Sequence, residues 1–271
     1  MFIKKGKLST GEKRYQGGTE VKVTEVWRYP VKSMLGEELD QAEVEPGGIQ
    51  GDRQWAVVDA ESGVSLSAKR YAELLSCRAW TINGEIVIAL PDGSEFPVDS
   101  TEAANGLSAL LGRNVITRSA ESTQTIRHEF PTAITEGEGE PFLWEPGTEA
   151  FFDRAPLHLL TTATLSELRR LQPDSVFHRA RFRPNFVIDT DDTGFVENEW
   201  VNRKLTLGSL KCQVIDRKPR CVMVTRSQGD LPKDIEVIRT ILKNNDGNAG
   251  VELRALEPGT LRCGEEVEIG S

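Results

Sequence analysis

Short runs in which apolar and polar residues alternate, separated by turn-forming residues, dominate the chain and predict a β-rich architecture. Strands are predicted at residues 21–27, 55–59, 185–189, 204–208, 211–216 and 250–255. The sharpest signal joins 79–82 to 85–90 through Asn83-Gly84, a pair that tolerates the positive φ angles of a type I′ turn, so a hairpin is expected there. Three stretches change to a helical period. Residues 101–112 place Ala104, Leu107 and Leu111 on one face and end at Gly112, and residues 232–243 open with Pro232 and repeat Ile235, Ile238, Ile241 and Leu242. In residues 161–171, hydroxyl side chains precede Leu165, Leu168 and Leu171, and Thr164 stands at capping-box spacing from Glu167. A threonine-rich helix start offers N–H groups and hydroxyls to an anion, but ordinary capping without a ligand explains the same residues.

The fold class expected is mainly β with a few helices, a β-rich α+β chain. Residues 1–20, rich in Lys, Gly and polar groups, read as a loose tail. Residues 136–147, with their Glu-Gly repeat and Pro146-Gly147, read as a linker or long loop. They would divide a portion at 21–135 from one at 148–271, although both could share one sheet system.

Composition narrows the functional classes. With 42 acidic and 33 basic residues in 271, the net charge of −9 argues against a nucleic acid polymer as partner, so an anionic ligand would have to be held by local cations. No apolar run approaches the roughly 18 to 20 residues of a membrane span, and the amino terminus lacks the apolar core of a secretory signal. A soluble, cytoplasmic protein with no membrane partner is expected. Cys77, Cys212, Cys221 and Cys263 form no CxxC pair, as suits a reducing compartment, and His128, His158 and His178 match no metal spacing. His158, within the apolar run 156–160, reads as a core histidine. No nucleophile elbow, phosphate-binding loop or dinucleotide glycine motif is present.

Four cationic clusters lie at predicted strand ends: Tyr29-Pro30-Val31-Lys32-Ser33, Gly51-Asp52-Arg53-Gln54-Trp55, the run 179–185 with Arg179, Arg181 and Arg183 before Asn185, and Pro219-Arg220-Cys221. Arginine forks and lysine point charges are the usual partners of phosphate. Cations around Cys221 would favour its thiolate, the form that attacks electrophiles or binds soft metals. Each cluster also has a plainer reading: a surface ion pair for Asp52 and Arg53, solvent-facing arginines, and a cysteine packed at a strand end beside Val222 and Val224.

In this order the clusters resemble the pattern of the MOSC family, named after the carboxy-terminal domain of molybdenum cofactor sulfurase. The first two resemble the amino-terminal MOSC-associated β-barrel region. Residues 153–168, then Arg181-Phe182-Arg183-Pro184-Asn185, 197–200, 205–208, Pro219-Arg220-Cys221 and 258–267 resemble the MOSC β-barrel core. The resemblance implies a molybdenum cofactor, with no need of pyridoxal phosphate, and Cys221 as both the thiolate ligand of molybdenum and the catalytic residue. It implies cofactor contacts from Lys32, Ser33, Arg53, Thr161, Thr162, Thr164, Arg183, Asn185 and Arg220, with Asp52 and Asp153 organising the cations. Within the family the arrangement is similar to the amidoxime-reducing members, which implies reduction of small N-hydroxylated compounds. With no iron–sulfur cysteine set, a separate flavin, ferredoxin or cytochrome b5 type protein would supply electrons. The alternatives are a sulfur carrier or cofactor-handling protein using a Cys221 persulfide, and a non-catalytic module binding another anion. The chain departs from the common pattern at Met34 and Lys218, where relatives often carry cysteine.

Overall fold

The computed structural model describes residues 21–121 and 150–270, with the backbone of two further strands, Arg127–Phe130 and Phe142–Trp144. The expected tail at 1–20 lies outside these residues. So does the expected linker at 136–147, apart from the strand Phe142–Trp144.

The β-rich α+β class is the one the chain adopts. Its largest sheet has eight strands, in the order Val267–Ile269, Lys204–Leu207, Leu210–Pro219, Asn248–Ala255, Leu157–Thr161, Phe186–Asp189, Lys22–Arg28 and Glu37–Leu39. Among the described residues its edge strands are Val267–Ile269 and Glu37–Leu39, and an antiparallel bridge of Lys22 with Glu266, flanked by the Val23 N–H donating to the Glu265 carbonyl (2.9 Å) and the Val267 N–H to the Val21 carbonyl (2.8 Å), ties Lys22–Arg28 to the segment that leads into the first of these edges. The only parallel neighbours in it are Leu157–Thr161 and Phe186–Asp189, and helix α2 (Thr162–Leu171) lies in the crossover that such a pair requires. The strand Leu157–Thr161 is buried along its whole length because both faces are covered. Leu157 and Leu159 join a core with Phe186, Trp200, Val214 and Leu253, while Leu160 points to the opposite core with Leu165, Leu168, Ile238 and Ile241 of the helices. Lys22–Arg28 pairs with Phe186–Asp189, so the two halves of the sequence share this sheet.

Three smaller sheets complete the fold. The hairpin Arg78–Ile82 with Glu85–Ala89 turns through Asn83 and Gly84, both at positive φ (52° and 84°), as Asn-Gly predicts. It packs with helix α1 (Thr101–Leu111) around Leu74, Ile88 and Leu107. That helix is capped at Ser100, whose hydroxyl accepts from the Ala103 N–H, and ends with Gly112 in the left-handed region.

Two helix starts differ from expectation. The cap of α2 is Thr161, whose hydroxyl accepts from the Thr164 N–H at 3.1 Å, and Glu167 instead pairs with Arg170. The capping box of Thr164 and Glu167 is therefore absent, because the helix begins three residues before that spacing requires. Helix α3 (Glu236–Asn245) begins later than Pro232, since residues 228 and 231 close a tight bridge and the Asp234 carboxylate accepts from the Glu236 N–H.

The predicted strand at 211–216 runs on to Pro219, with two irregularities in its pairing. Such bulges re-aim a strand end. They bring Arg220 and Cys221 to the mouth of the sheet, beside residues from the first half of the chain.

Candidate functional site

A cavity of about 300 Å³ is bounded by the loop after Lys22–Arg28, the turns at 53 and 67–69, the segment 151–158, the run 181–185 and the segment 218–224. Of the expected site residues it gathers Lys32, Ser33, Arg53, Arg183, Asn185, Arg220 and Cys221, with Asp153 also in its wall. Sequence reasoning did not find Ser67 and Lys69, and placed neither His158 nor Lys218 in a site. Nothing in the pattern around Lys69 marks it. His158 could have been flagged as a titratable residue in an otherwise apolar strand.

Backbone strain is concentrated here. Of the six non-glycine residues with positive φ among the described residues, Asn83, Asn202 and Asp246 are types that tolerate it; Ser33, Arg53 and Arg183 (69°, 50° and 55°) all line the cavity. Each such residue costs on the order of 1–3 kcal/mol and persists where its surroundings over-determine it. The Ser33 hydroxyl accepts from the Ala68 N–H at 3.0 Å, tying its turn to the loop that carries Lys69. The guanidiniums of Arg53 and Arg183 lie over the Tyr29 ring, 4.4 and 4.3 Å from its centroid. Buried Asp52 accepts from the Tyr29 N–H (2.7 Å), from Asn185 Nδ2 (3.0 Å) and from Arg53. Asn185 also donates to the Trp27 carbonyl, and its Oδ1 accepts from the His158 N–H, so its amide braces the two sheet strands behind the cavity.

The cations fall into two groups. Lys32 and Lys69 share Asp153, at 2.5 and 3.0 Å, and Lys218 and Arg154 share buried Glu252, at 2.8 and 3.1 Å. Burial would raise the Asp153 pKa, but the two lysines hold it well below the usual carboxylate range. Burial in turn lowers the pKa of Lys32, with Asp153 opposing. Arg183 and Arg220 differ, for among the described residues neither has a carboxylate within ion-pair distance. Arg183 donates to the Met34 carbonyl, and Arg220 to the Phe182 carbonyl at 2.5 Å with Nη1 3.4 Å from His158 Nε2. Burial brings both guanidiniums down to about 10, so both stay charged at neutral pH. Arg220 Nε is buried with no hydrogen-bond partner among the described residues. Arg181 also bonds only carbonyls, those of Val176, Val224, Arg226 and Pro232, and thereby secures the segment after Cys221. Cys221 is free and partly exposed.

The three threonines do not join the cavity. The Thr161 and Thr164 hydroxyls donate to the carboxylate of fully buried Glu197, at 2.7 Å each, and Thr162 donates to Asp189 at 2.7 Å. The hydroxyls at the helix start are already taken by carboxyl groups of the protein itself.

These features define a β-rich protein with a cation-lined, thiol-bearing cavity built from both halves of its chain. Its sequence matches the MOSC N-terminal beta barrel domain over residues 20–127 and the MOSC domain over residues 146–268. The chain belongs to the MOSC family. It is 26% identical over 226 residues to mitochondrial amidoxime reducing component 2 of Homo sapiens, covering 75% of this chain and 66% of that protein. It is 28% identical over 264 residues to molybdenum cofactor sulfurase of Danio rerio, covering 85% of this chain and 31% of that protein. The chain therefore spans about two thirds of the human relative and about one third of the fish one. The YUAD protein from Bacillus subtilis has a solved structure that aligns over 93% of this chain and 97% of its own, with a TM-score of 0.46 and 11% identity. Among the described residues no helix is long and apolar enough to cross a membrane.

Proposed function

We propose that this protein is a molybdenum-cofactor-dependent reductase of small N-hydroxylated compounds, with the metal held by Cys221 and electrons delivered by a separate protein. The observation that carries the reading is the Cys221 thiol in one cavity with Arg183 and Arg220, two buried arginines without carboxylate partners. Among the described residues no group of three or more His, Cys, Asp or Glu could hold a bare metal ion. A metal at Cys221 must then bring most of its own ligands, as one carried on a pterin dithiolene does, and a lone soft thiolate suits the remaining position. The unpartnered Arg220 Nε and the charge on Arg183 fit the phosphate of such a cofactor.

Cys221, Arg183 and Arg220 would hold the cofactor, with Lys32, Ser33 and Arg53 beside them. When bound, the cofactor supplies two-electron chemistry that converts N–OH to N–H with release of water. The chain supplies position and charge: Asp153 keeps Lys32 and Lys69 paired at the cavity wall, Tyr29 and Asp52 hold Arg53, and the carbonyls bonded by Arg181 fix the segment that carries Cys221. The test is reduction of benzamidoxime by the purified protein with a reduced viologen dye as donor. Turnover that is lost in Cys221→Ser supports the reading; equal rates in both proteins contradict it. The similarity to molybdenum cofactor sulfurases favours a second reading, in which Cys221 carries a persulfide for a cofactor-handling step. Mass spectrometry of intact protein, with a sulfur adduct on Cys221 that passes to an acceptor thiol, separates the two.

A further inference from the structure

His158 lines the cavity and is 4% exposed. Its ring is bracketed by two of the arginines that have no carboxylate within ion-pair distance: Nδ1 is 3.4 Å from the Arg183 carbonyl and Nε2 is 3.4 Å from Arg220 Nη1. A guanidinium can only donate, so Nε2 must accept and Nδ1 must carry the proton that it shares with the carbonyl. Burial holds the imidazole pKa well below its ordinary value, and the charges of Arg220, Lys218 and Arg53 add to that. The neighbouring strand makes room for this ring. Gly250 has a φ of +81°, and a Cβ there would stand 2.4 Å from Nε2, on the atom that meets Arg220.

The contrast with the other cavity cations gives the arrangement its meaning. Arg53 is matched by Asp52, Lys32 and Lys69 by Asp153, and Lys218 by Glu252. Each of those carboxylates orients its cations and offsets one positive charge. An imidazole acceptor orients without cancelling.

We propose that His158 is a positioning residue of the anion site: a neutral acceptor that orients Arg220 and holds the backbone of Arg183 while leaving both positive charges available to an anionic ligand of the phosphate-ester class. The inference rests on reading this cavity as the cofactor site. Both contacts are long for hydrogen bonds, so the effect of losing them is moderate.

The test compares full-length wild type with His158→Gln, His158→Leu and His158→Glu from a host that makes the cofactor, measuring molybdenum and pterin retained per folded chain after dialysis. His158→Gln, which can both accept and donate, is expected within about twofold of wild type, and His158→Leu about threefold to tenfold lower. His158→Glu makes the stronger bond to Arg220 and is nevertheless expected to retain no more than His158→Leu, which a purely structural role does not produce. Wild-type retention in His158→Leu or His158→Glu overturns the proposal. If wild type itself holds no cofactor, the reading of the site falls, and the same order is expected for inorganic pyrophosphate affinity; any other order overturns the inference by itself. Nitrogen-15 spectra of wild-type His158 provide a readout independent of variant folding. A neutral Nδ1–H ring from pH 5 to 8 is expected, and an Nε2–H ring or ordinary titration in that range contradicts it.

Discussion

The start of helix α2 and the arginine-lined cavity both offer positive potential, one from backbone N–H groups and the other from guanidiniums, and they differ in the carboxyl groups that the protein places against them. At the helix start, Thr161 and Thr164 spend their hydroxyls on Glu197, a fully buried carboxylate from the 196–200 turn. In the cavity, Arg183 and Arg220 are held by carbonyls and by the His158 imidazole, none of which carries a counter-charge, and Arg220 Nε is left without a partner among the described residues. An anion site is thus defined less by how many donors converge than by whether the protein has already supplied the counter-charge.

Substitutions can break this contrast at either end. The largest effect is expected from Cys221→Ser, which should abolish both molybdenum retention and benzamidoxime reduction while leaving the thermal unfolding midpoint near that of cofactor-free wild type. Next, Arg183→Ala and Arg220→Ala should each lower retention of the pterin by about 10- to 100-fold in dialysis, the scale of one or two hydrogen bonds to a charged group. Thr164→Val should do the reverse. It leaves Glu197 short of a donor and should cost about 2 kcal/mol in denaturant unfolding, with cofactor content per folded chain unchanged. Loss of cofactor in that variant would restore the helix start as part of the site.

The smallest effect is a pH dependence. Burial raises the Glu197 pKa above its ordinary value, so the folded state favours the protonated carboxyl relative to the unfolded chain. The associated stability is fully present below the ordinary glutamate range and is lost as pH rises through the raised folded value. Wild type should therefore lose stability relative to Glu197→Gln as pH increases from about 4.5 upward, measured as the difference in unfolding midpoints. A constant difference would show that Glu197 bears no such penalty.

The fold was legible where a local pattern decides it. Asn83-Gly84 specified its hairpin and Gly112 its helix end because one backbone conformation suits each. The site was legible in part, since Lys32, Arg53, Arg183 and Arg220 follow strands whose ends converge. A helix start looks the same in sequence whether its hydroxyls meet a ligand or, as those of Thr161 and Thr164 do, Glu197, 33 residues on from Thr164. Lys69 and His158 were not assigned to the site for a similar reason. Lys69 meets Lys32 through Asp153, 84 positions further on, and His158 meets Arg220 across 62 positions of sequence. Charge compensation is a three-dimensional property that spacing along the chain does not carry.

Elemental analysis for molybdenum, with quantification of the oxidised pterin, on wild-type protein purified from a host that makes the cofactor shows whether Arg183, Arg220 and Cys221 hold it. Equal amounts of molybdenum, pterin and protein are expected. Protein that carries neither, from cells in which another molybdoenzyme is fully loaded, would contradict this.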